Sequence, residues 1–208
     1  MKEQTSTEEK IITAATGIFL QKGKDGARMQ EIADYAGINK ALLHYYFRSK
    51  DRLYDEVFKR ELKKFFTGIF TSVKDTEDAK IFIRSFINLY TDRIAKNQNL
   101  VHFIISEIEK GGASISSVIV ESMQKNKMQP LIITNKIQDA IAKKQLRNID
   151  PVNLMISLIG LCLYPFLAKP ILEKTFLGVN VTSPEFLARR KKEVFDLVWN
   201  GIKYENEK

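Results

Sequence analysis

The sequence predicts an all-α fold. Apolar residues recur almost throughout at the spacing of an amphipathic helix, and no stretch shows the convincing alternation of a half-buried strand. Glycine and proline number only 10 and 5 among 208 residues, which favours long helices over turn-rich β structure. N-cap residues also stand ahead of several periodic segments, so the helix starts can be placed one after another.

The first two predicted helices are marked by residues at their ends. Ser6 and Glu9, three residues apart, form a capping box at the start of the first helix. Its apolar face comprises Ile11, Ile12, Ala15, Ile18 and Phe19. Gly23 is predicted to close this helix as a C-cap. A short second helix is predicted to follow, from about Met29 to Tyr35.

A tight turn joins the second predicted helix to a third. Gly37 breaks the second helix, and Asn39 can cap a third helix that runs to about Phe47. Two short helices joined in this way form a helix-turn-helix. In that motif the second helix lies in the major groove of DNA, and its N-terminal residues meet the base edges. The sequence therefore predicts a DNA-reading helix within residues 36–50, AGINKALLHYYFRSK.

The side chains of this third helix divide between two faces. On the DNA side, Ala41 is small enough for close approach, Leu42 can touch a thymine methyl, and His44 has a polar tip. The predicted DNA-binding residues are Arg28, Gln30, Asn39, Lys40, Ala41, Leu42, His44, Tyr45 and Lys50. The inward face, predicted to pack on the first helix, comprises Ile38, Leu43, Tyr46 and Phe47. Cations at the start of the fourth helix favour contact with phosphate, and these are Arg48, Lys50 and Arg52.

Helices are predicted for the rest of the chain as well. Ser49 and Asp51 can cap a long fourth helix, and Asp75 or Thr76 opens the next one. Further helices are predicted over about 100–110 and 117–144, the second of them kinked at Pro130. Asp-Pro at 150–151 and Ser-Pro at 183–184 each supply an N-cap followed by proline at the first helical position. These two pairs start the last two major helices.

Charge and cysteine content narrow the function classes. The formal charge of +8 and a pI of about 9.4 are compatible with binding to nucleic acid or to an anionic membrane surface. The single cysteine, Cys162, cannot form an intramolecular disulfide, which predicts a reducing cytoplasm. The polar N-terminus lacks the apolar segment of a signal peptide. Residues 152–172 are apolar, but their uninterrupted core is shorter than a membrane span. A helix buried in the protein or between two subunits fits them better.

One stretch of the sequence, EIADYAGINKALLHYYFRSKDRLYDEVF, carries a family resemblance. Residues 8–58 resemble the DNA-binding domain of the TetR/AcrR family of bacterial transcription regulators. The matching positions are Ile32-Ala33, Ala36-Gly37, Leu43, Tyr45, Phe47, Ser49-Lys50 and Leu53. The family usually has a threonine or serine before the second helix, where this chain has Ala27-Arg28. Arg28 therefore either contacts the DNA backbone in its place or is simply solvated. At the positions of Leu42, His44 and Tyr46 the family often has other residues. These differences change which bases are read.

The resemblance implies a dimeric regulator with two domains. It implies a helix-turn-helix DNA-binding domain over residues 1–50 and a larger helical domain for effector binding and dimerisation over residues 51–208. In relatives the last two long helices pair with those of a second subunit, and the apolar run around residues 154–167 suits that role. Twofold symmetry then presents two reading helices about 34–36 Å apart. The implied partners are an operator duplex with dyad symmetry, a small-molecule effector and a second copy of the chain.

Six residues are candidates for an effector pocket: Phe86, Tyr90, His102, Phe103, Glu107 and Tyr164. The resemblance places one of them, His102, on a helix near the ligand cavity of relatives. The aromatic residues and His102 also have a simpler explanation. Apolar rings at helical spacing are usual in a protein core, and a buried histidine usually has its hydrogen bonds made within the core. The sequence does not decide between the two.

No cofactor, metal site or enzymatic activity is predicted. The two histidines and one cysteine are too far apart in the sequence to suggest a ligand set. Neither a glycine-rich phosphate loop nor a convincing nucleophile–base pair is present. The resemblance implies a repressor that binds a palindromic operator as a dimer and is released by a small effector. The alternative is a helical ligand-binding or adaptor protein that has lost DNA binding.

Overall fold

The computed structural model describes residues 6–73, 76–109, 111–125, 132–175 and 178–205. Within these ranges every regular element is a helix, and the only strand-like pairing is an isolated antiparallel bridge between Leu146 and Lys203. The predicted all-α fold is confirmed. The chain forms two compact units, of which the first holds residues up to 64 together with 103–118 and the second holds 65–102 and 119–208. The predicted functional boundary at residues 50 and 51 stays a prediction.

The first unit is built around four N-terminal helices. Their bounds are α1 Thr7–Gly26, α2 Met29–Ala36, α3 Lys40–Phe47 and α4 Lys50–Val73, the last continuing into the second unit. The Oγ atom of Ser6 accepts a hydrogen bond from the backbone N–H of Glu9 at 3.2 Å, which caps α1. Gly23, at φ 68° and ψ 178°, interrupts α1, but helical structure resumes as far as Gly26. The first helical segment thus ends at Gly23 as predicted, and a short further segment to Gly26 was not predicted.

The core of the first unit is formed where α1 packs on α2 and α2 packs on α3. Its fully buried side chains include Ile11, Phe19, Ile32, Leu43, Leu53 and Phe58. Two members of the predicted inward face of α3, Leu43 and Phe47, are buried, whereas Tyr46 is 40% exposed. The prediction that Tyr46 packs inward is wrong. Leu43 and Phe47, four residues apart, already fill the inward stripe of a helix only eight residues long.

The remaining helices belong wholly or in part to the second unit. Their bounds are α5 Ala79–Lys96, α6 Gln98–Glu109, α7 Ala113–Lys125, α8 Ile132–Ala142, α9 Pro151–Leu167, α10 Lys169–Lys174 and α11 Pro184–Ile202. Residues 103–109 of α6 and 113–118 of α7 belong to the first unit. Within the second unit, α5 packs against α8, α9 and α11, and α9 also contacts α11. Side chains from α5, α9 and α11 thereby form its apolar core, which includes Ile83, Phe86, Ile87, Leu158, Cys162 and Val194.

Helix starts in this unit follow the predicted caps with one correction. Asp150 and Ser183 accept hydrogen bonds from the backbone N–H groups of Asn153 and Phe186, each with proline at the first helical position. Helix α5 begins later than predicted, at Ala79, because the carboxylate of Asp78 caps it by accepting from Ile81. Asp75, the other predicted start, lies outside the described residues.

The predicted helix over 117–144 corresponds to two helices, α7 and α8, in the described ranges. The kink predicted at Pro130 lies outside those ranges. The short helix α10 was not predicted from the sequence. It begins directly after Ala168 with Pro170 near its first position, so the apolar run of residues 152–172 is divided between two helices.

Candidate nucleic-acid interface

A single glycine sets the turn between α2 and α3. Gly37 lies in the left-handed region at φ 69° and ψ 34°, which costs glycine little. Its backbone N–H donates to the carbonyl of Asp34 at 3.1 Å, and the N–H of Ile38 donates to the carbonyl of Ala33 at 3.0 Å. The second bond closes the end of α2 in the manner of a Schellman motif. The two helices are thus joined by a turn that is fixed through backbone hydrogen bonds.

Helix α3 presents its predicted DNA-reading side chains to solvent. Leu43 is 0% exposed, while Tyr45, two residues later, is 79% exposed. The other outward side chains, all exposed, are Lys40, Ala41, Leu42 and His44. The structure therefore brings these five predicted residues together on one short helix whose opposite face is anchored in the core.

The start of α3 combines a capped N-terminus with basic neighbours. The side chain of Asn39 accepts a hydrogen bond from the backbone N–H of Leu42 at 2.8 Å and so caps the helix. Residues 36–50 contain four basic side chains, counting His44, and no carboxylate. A helix N-terminus attracts negative charge, and the absence of acidic side chains in this segment leaves that attraction unopposed locally.

The start of α2 contributes Arg28 and Gln30. Arg28 is exposed at the N-cap position of α2 and makes no side-chain capping hydrogen bond. Gln30 is also exposed, but its Nε2 donates to Oδ1 of Asp34 at 2.8 Å. Arg28 is therefore already available for a phosphate, whereas Gln30 must release Asp34 before it can contact DNA.

Lys50 stands at the first position of α4 and is half-buried. Its Nζ donates to the backbone carbonyl of Ala27, in the connection before α2, at 3.3 Å. The ammonium group is thereby held at the entry to α2, because Ala27 directly precedes Arg28, the N-cap residue of that helix. A cation in this place can contact a phosphate and carries no information about base identity.

Sequence reasoning missed one residue at this surface, Tyr46, which it assigned to the inward face, whereas it had already named Arg48 as a phosphate contact. The exposed ring of Tyr46 lies edge-on to that of Tyr45, with centroids 5.6 Å apart and an interplanar angle of 88°. Arg48 ends α3 with a positive φ of 29°, and its backbone N–H donates to the carbonyl of His44. The shortness of α3 is the signal that was available, since eight residues have room for only two inward side chains.

The effector candidates fall into two groups. Phe86 and Tyr90 are buried in the second unit, with nearly parallel rings 5.5 Å apart, and burial raises the pKa of Tyr90. Tyr164 is 61% exposed on α9, and no ring contact joins it to either of them in the described part of the chain. The side chain of His102 lies outside the described residues.

Phe103 and Glu107 belong to the first unit. Phe103 stacks on Phe58 with centroids 4.6 Å apart, and Tyr54 completes the group at 5.8 Å from Phe103. Burial raises the pKa of Tyr54 to about 12, with a further contribution from nearby carboxylates that include Glu107. The structure does not bring this pair into one unit with Phe86 and Tyr90, so the six candidates do not form one site within either unit.

Several other chemical groups bear on the kind of site present. Burial raises the pKa of the Cys162 thiol, so the unreactive protonated form is favoured. Among the described residues, no three histidine, cysteine or carboxylate side chains cluster as metal ligands would. No helix in the same ranges combines the length and the apolar character needed to cross a membrane.

Family models match both parts of the chain. The model described as "Bacterial regulatory proteins, tetR family" matches residues 11–57, and "Tetracyclin repressor-like, C-terminal domain" matches residues 82–198. The first match covers α2 and α3 with the helices on either side, and the second covers more than half of the chain. The similarity therefore extends well beyond the helix-turn-helix.

Two curated relatives are regulators. The chain is 32% identical over 84 residues to "HTH-type transcriptional activator FasR" of Mycolicibacterium smegmatis (strain ATCC 700084 / mc(2)155), an alignment that covers 40% of this chain and 38% of that protein. It is 25% identical over 171 residues to "Probable HTH-type transcriptional regulator YttP" of Bacillus subtilis (strain 168), which covers 79% of each. The chain thus spans less than two thirds of the length of FasR.

Solved structures share the fold over nearly the whole chain. A regulator named AibR, in complex with isovaleryl coenzyme A and operator DNA, has a TM-score of 0.65 at 15% identity and covers 93% of this chain and 98% of its own. FadR from Bacillus subtilis, in complex with stearoyl-CoA, has a TM-score of 0.63 at 17% identity with the same coverage. At these identities the likeness concerns the fold alone.

Proposed function

Because the chain belongs to the TetR family of bacterial regulatory proteins, we propose that it represses transcription as a homodimer on an operator with dyad symmetry. A small effector releases it by preferring a conformation that spaces the two reading helices wrongly for DNA. Only such a difference in affinity between two conformations can shift the equilibrium. The protein acts in the cytoplasm, with residues 1–50 binding DNA and residues 51–208 binding the effector and the second subunit.

One observation carries the DNA-binding part of the proposal: α3 is anchored by Leu43 and Phe47 and turns its polar and cationic side chains to solvent. Lys40 and His44 are placed to read base edges, and Leu42 to touch a thymine methyl. Arg28 and Lys50 flank this helix as phosphate contacts that set its register.

The homodimer is supported by exposed apolar side chains on α9 and α11. Residues at helical spacing along α9 are exposed although aliphatic, namely Val152, Ile156, Ile159 and Leu167. Leu197 on α11 is exposed in the same way. Aliphatic side chains of this number on neighbouring helices favour burial against a second copy, because an isologous interface pairs each patch with itself. We place Tyr164, which is exposed on α9, at this dimer face.

The effector is proposed to be an acyl thioester of coenzyme A. Two proteins with the same fold were solved with such ligands, isovaleryl coenzyme A in AibR and stearoyl-CoA in FadR. We place the acyl chain against the buried aromatic group of Phe65, Phe86 and Tyr90 in the second unit.

The DNA-binding proposal is tested by selecting duplexes from a random pool with the full-length protein. The expected result is a palindromic site with half-sites about one helical turn apart and an affinity that falls steeply with salt. A protein that binds no duplex even at low salt would instead be the ligand-binding or adaptor protein of the alternative. A reporter placed behind the selected site then distinguishes repression from activation.

The effector proposal is tested separately on the complex with the selected duplex. Isovaleryl-CoA and stearoyl-CoA are added, and dissociation is followed by fluorescence anisotropy of the labelled DNA. At least one thioester is expected to release the duplex at concentrations where free coenzyme A does not. Equal behaviour of thioesters and coenzyme A would rule out the acyl chain as the recognised group without affecting the DNA-binding result.

A further inference from the structure

A groove with a basic lining runs between α5 and α11, which pack side by side in the second unit. It encloses about 460 Å³, and its charged lining residues are Arg84, Lys191, Lys192 and Asp196. Phe195 and Asn88 line it as well, so the α5–α11 groove combines cations, an amide and an aromatic ring. None of these residues belongs to the predicted DNA-binding surface or to the effector candidates.

Two cations of α5 lie over two rings of α11. The guanidinium carbon of Arg84 is 4.0 Å from the ring centroid of Phe195, and Nζ of Lys80 is 5.7 Å from the ring of Trp199. The two rings are nearly parallel, with centroids 6.1 Å apart and an interplanar angle of 5°. Lys80 and Arg84 are four residues apart in the helix, so they are offset by about 6 Å along its axis.

The cations of this surface differ in how their charge is balanced. Lys191 pairs with Asp92 at 2.8 Å and Lys192 with Asp196 at 3.0 Å. Within the described residues, by contrast, Lys80 and Arg84 make no hydrogen bond and no ion pair, only the ring contacts. Of these four cations, the two without an anionic partner among the described residues thus lie within one helical turn of α5.

Arg84 lies over the ring of Phe195. A guanidinium that lies flat on an aromatic ring keeps its N–H edge free, and that edge matches carboxylate or phosphate oxygens in a bidentate way. Lys80, one turn away, adds a second point charge, and the exposed amide of Asn88 lies one turn beyond Arg84. Arg84 lines the groove and Lys80 lies one helical turn away on the same helix, so two positive charges are offered to neighbouring anionic groups of one molecule.

We propose that the α5–α11 groove binds a small molecule with two adjacent anionic groups, of which a diphosphate is the simplest form. Nucleic acid is a poorer match, because a polyanionic duplex is held by a long track of cations, and here the flanking lysines are each neutralised by an internal carboxylate. The groove shares no lining residue with the predicted DNA-binding surface or with the effector candidates, so pyrophosphate binding can be tested without operator DNA or an acyl thioester.

The chain has a built-in reporter for this site, because Trp199 is its only tryptophan. The full-length protein is titrated with sodium pyrophosphate at constant ionic strength while tryptophan fluorescence is recorded. A saturable change is expected as the anion draws Lys80 away from the indole ring. Arg84→Gln should weaken binding about tenfold, as expected for the loss of a charge-assisted hydrogen-bonded contact. Lys96→Gln, which removes an exposed lysine from the end of the same helix, should change it less than about twofold.

Controls and a second source of phosphate determine how each outcome of this titration is interpreted. The absence of a saturable change in the wild-type protein, or an equal loss in Lys96→Gln, would overturn the proposal. If circular dichroism shows that Arg84→Gln is misfolded, Lys80→Gln takes its place with the same expected loss of affinity, measured by isothermal titration calorimetry because the fluorescence signal depends on Lys80. Vesicles of phosphatidylcholine with 30% phosphatidylglycerol test the other source of phosphate. Arg84-dependent sedimentation with vesicles, without pyrophosphate binding, would assign the groove to lipid headgroups and overturn the small-molecule proposal.

Discussion

Helices α3 and α9 both leave large side chains exposed, and the difference between those side chains indicates what each helix meets. On α3 the exposed residues carry polar or charged tips, such as Lys40, His44 and Tyr45. On α9 the exposed residues at helical spacing are mostly aliphatic, such as Ile156 and Leu167. The polar and charged side chains of α3 suit contact with a polyanion such as DNA, and the aliphatic side chains of α9 suit contact with a second apolar protein surface. Exposure alone therefore does not identify a binding surface, whereas the chemistry at the ends of the exposed side chains does.

The largest expected effect comes from placing charges on the exposed aliphatic surface of α9 and α11. Replacing both Ile156 and Leu197 with aspartate puts four carboxylates into each dimer interface, at positions that are 62% and 68% exposed in the single chain. We expect a folded monomer whose operator affinity is lower by about 100-fold or more, because only a dimer offers two linked reading helices. Sedimentation velocity and a gel-shift assay measure the two consequences.

The matched control for the dimer variant is Val120→Asp, which changes an exposed valine on α7. It should leave both the oligomeric state and the operator affinity unchanged. A double variant that stays dimeric, or a monomer that binds the operator as tightly as the wild-type protein, would contradict the assignment of α9 and α11.

A second experiment sharpens the comparison within α3. Leu43→Ala removes a fully buried side chain and should lower the free energy of unfolding by about 3 kcal/mol. Leu42→Ala, on the neighbouring exposed position, should change it by less than about 0.5 kcal/mol. Urea denaturation followed by circular dichroism gives both values. Similar losses for the two variants would mean that the outward and inward faces of α3 are wrongly assigned.

A smaller effect is expected from replacing the outward polar side chains. His44→Ala or Lys40→Ala should reduce the preference for one base pair in each half-site by about 1–3 kcal/mol. Repeating the selection from random duplexes measures this preference directly. Tyr35→Ala, an exposed residue of α2 outside the predicted contact set, serves as the control. A selected site identical to that of the wild-type protein would exclude direct base reading by His44 and Lys40.

The smallest effect is expected from Lys50→Ala. It should weaken binding to all duplexes alike and reduce the slope of log affinity against log salt by about 1, because one phosphate contact is lost. Lys59→Ala removes the same charge from an exposed position of α4 and controls for net charge. A loss limited to one DNA sequence would show that Lys50 does more than contact phosphate.

The fold was largely predictable because its signals are local. Ser6, Asn39, Asp150 and Ser183 are each followed closely by the backbone N–H group that they cap, and each begins a helix as predicted. The start of α5 was misplaced because several residues before it can act as caps, and only the folded backbone selects Asp78. Local capping signals predict that a helix begins, but they rank neighbouring candidates poorly.

The candidate site was predictable where it depends on one helix and not where it depends on several. The outward positions of α3 follow from helical geometry once Leu43 and Phe47 are assigned to the core. The hydrogen bond from Lys50 to Ala27 joins residues 23 positions apart and could not be read from either segment. The aromatic effector candidates likewise do not share a unit, since aromatic residues give the same sequence pattern in a core as in a pocket.

The turn at Gly37 also has a consequence for the retargeting of this protein. An added Cβ at this position would meet no atom within 4 Å, so alanine there is disfavoured only by backbone torsion, at a cost of about 1 kcal/mol. The position of α3 thus depends on the backbone conformation of Gly37 and on two buried side chains, and these residues are different from the side chains that select bases. The outward positions of α3 can consequently be randomised in a library while Gly37, Leu43 and Phe47 are kept constant. New operator specificities can then be selected without altering the fold of the helix-turn-helix.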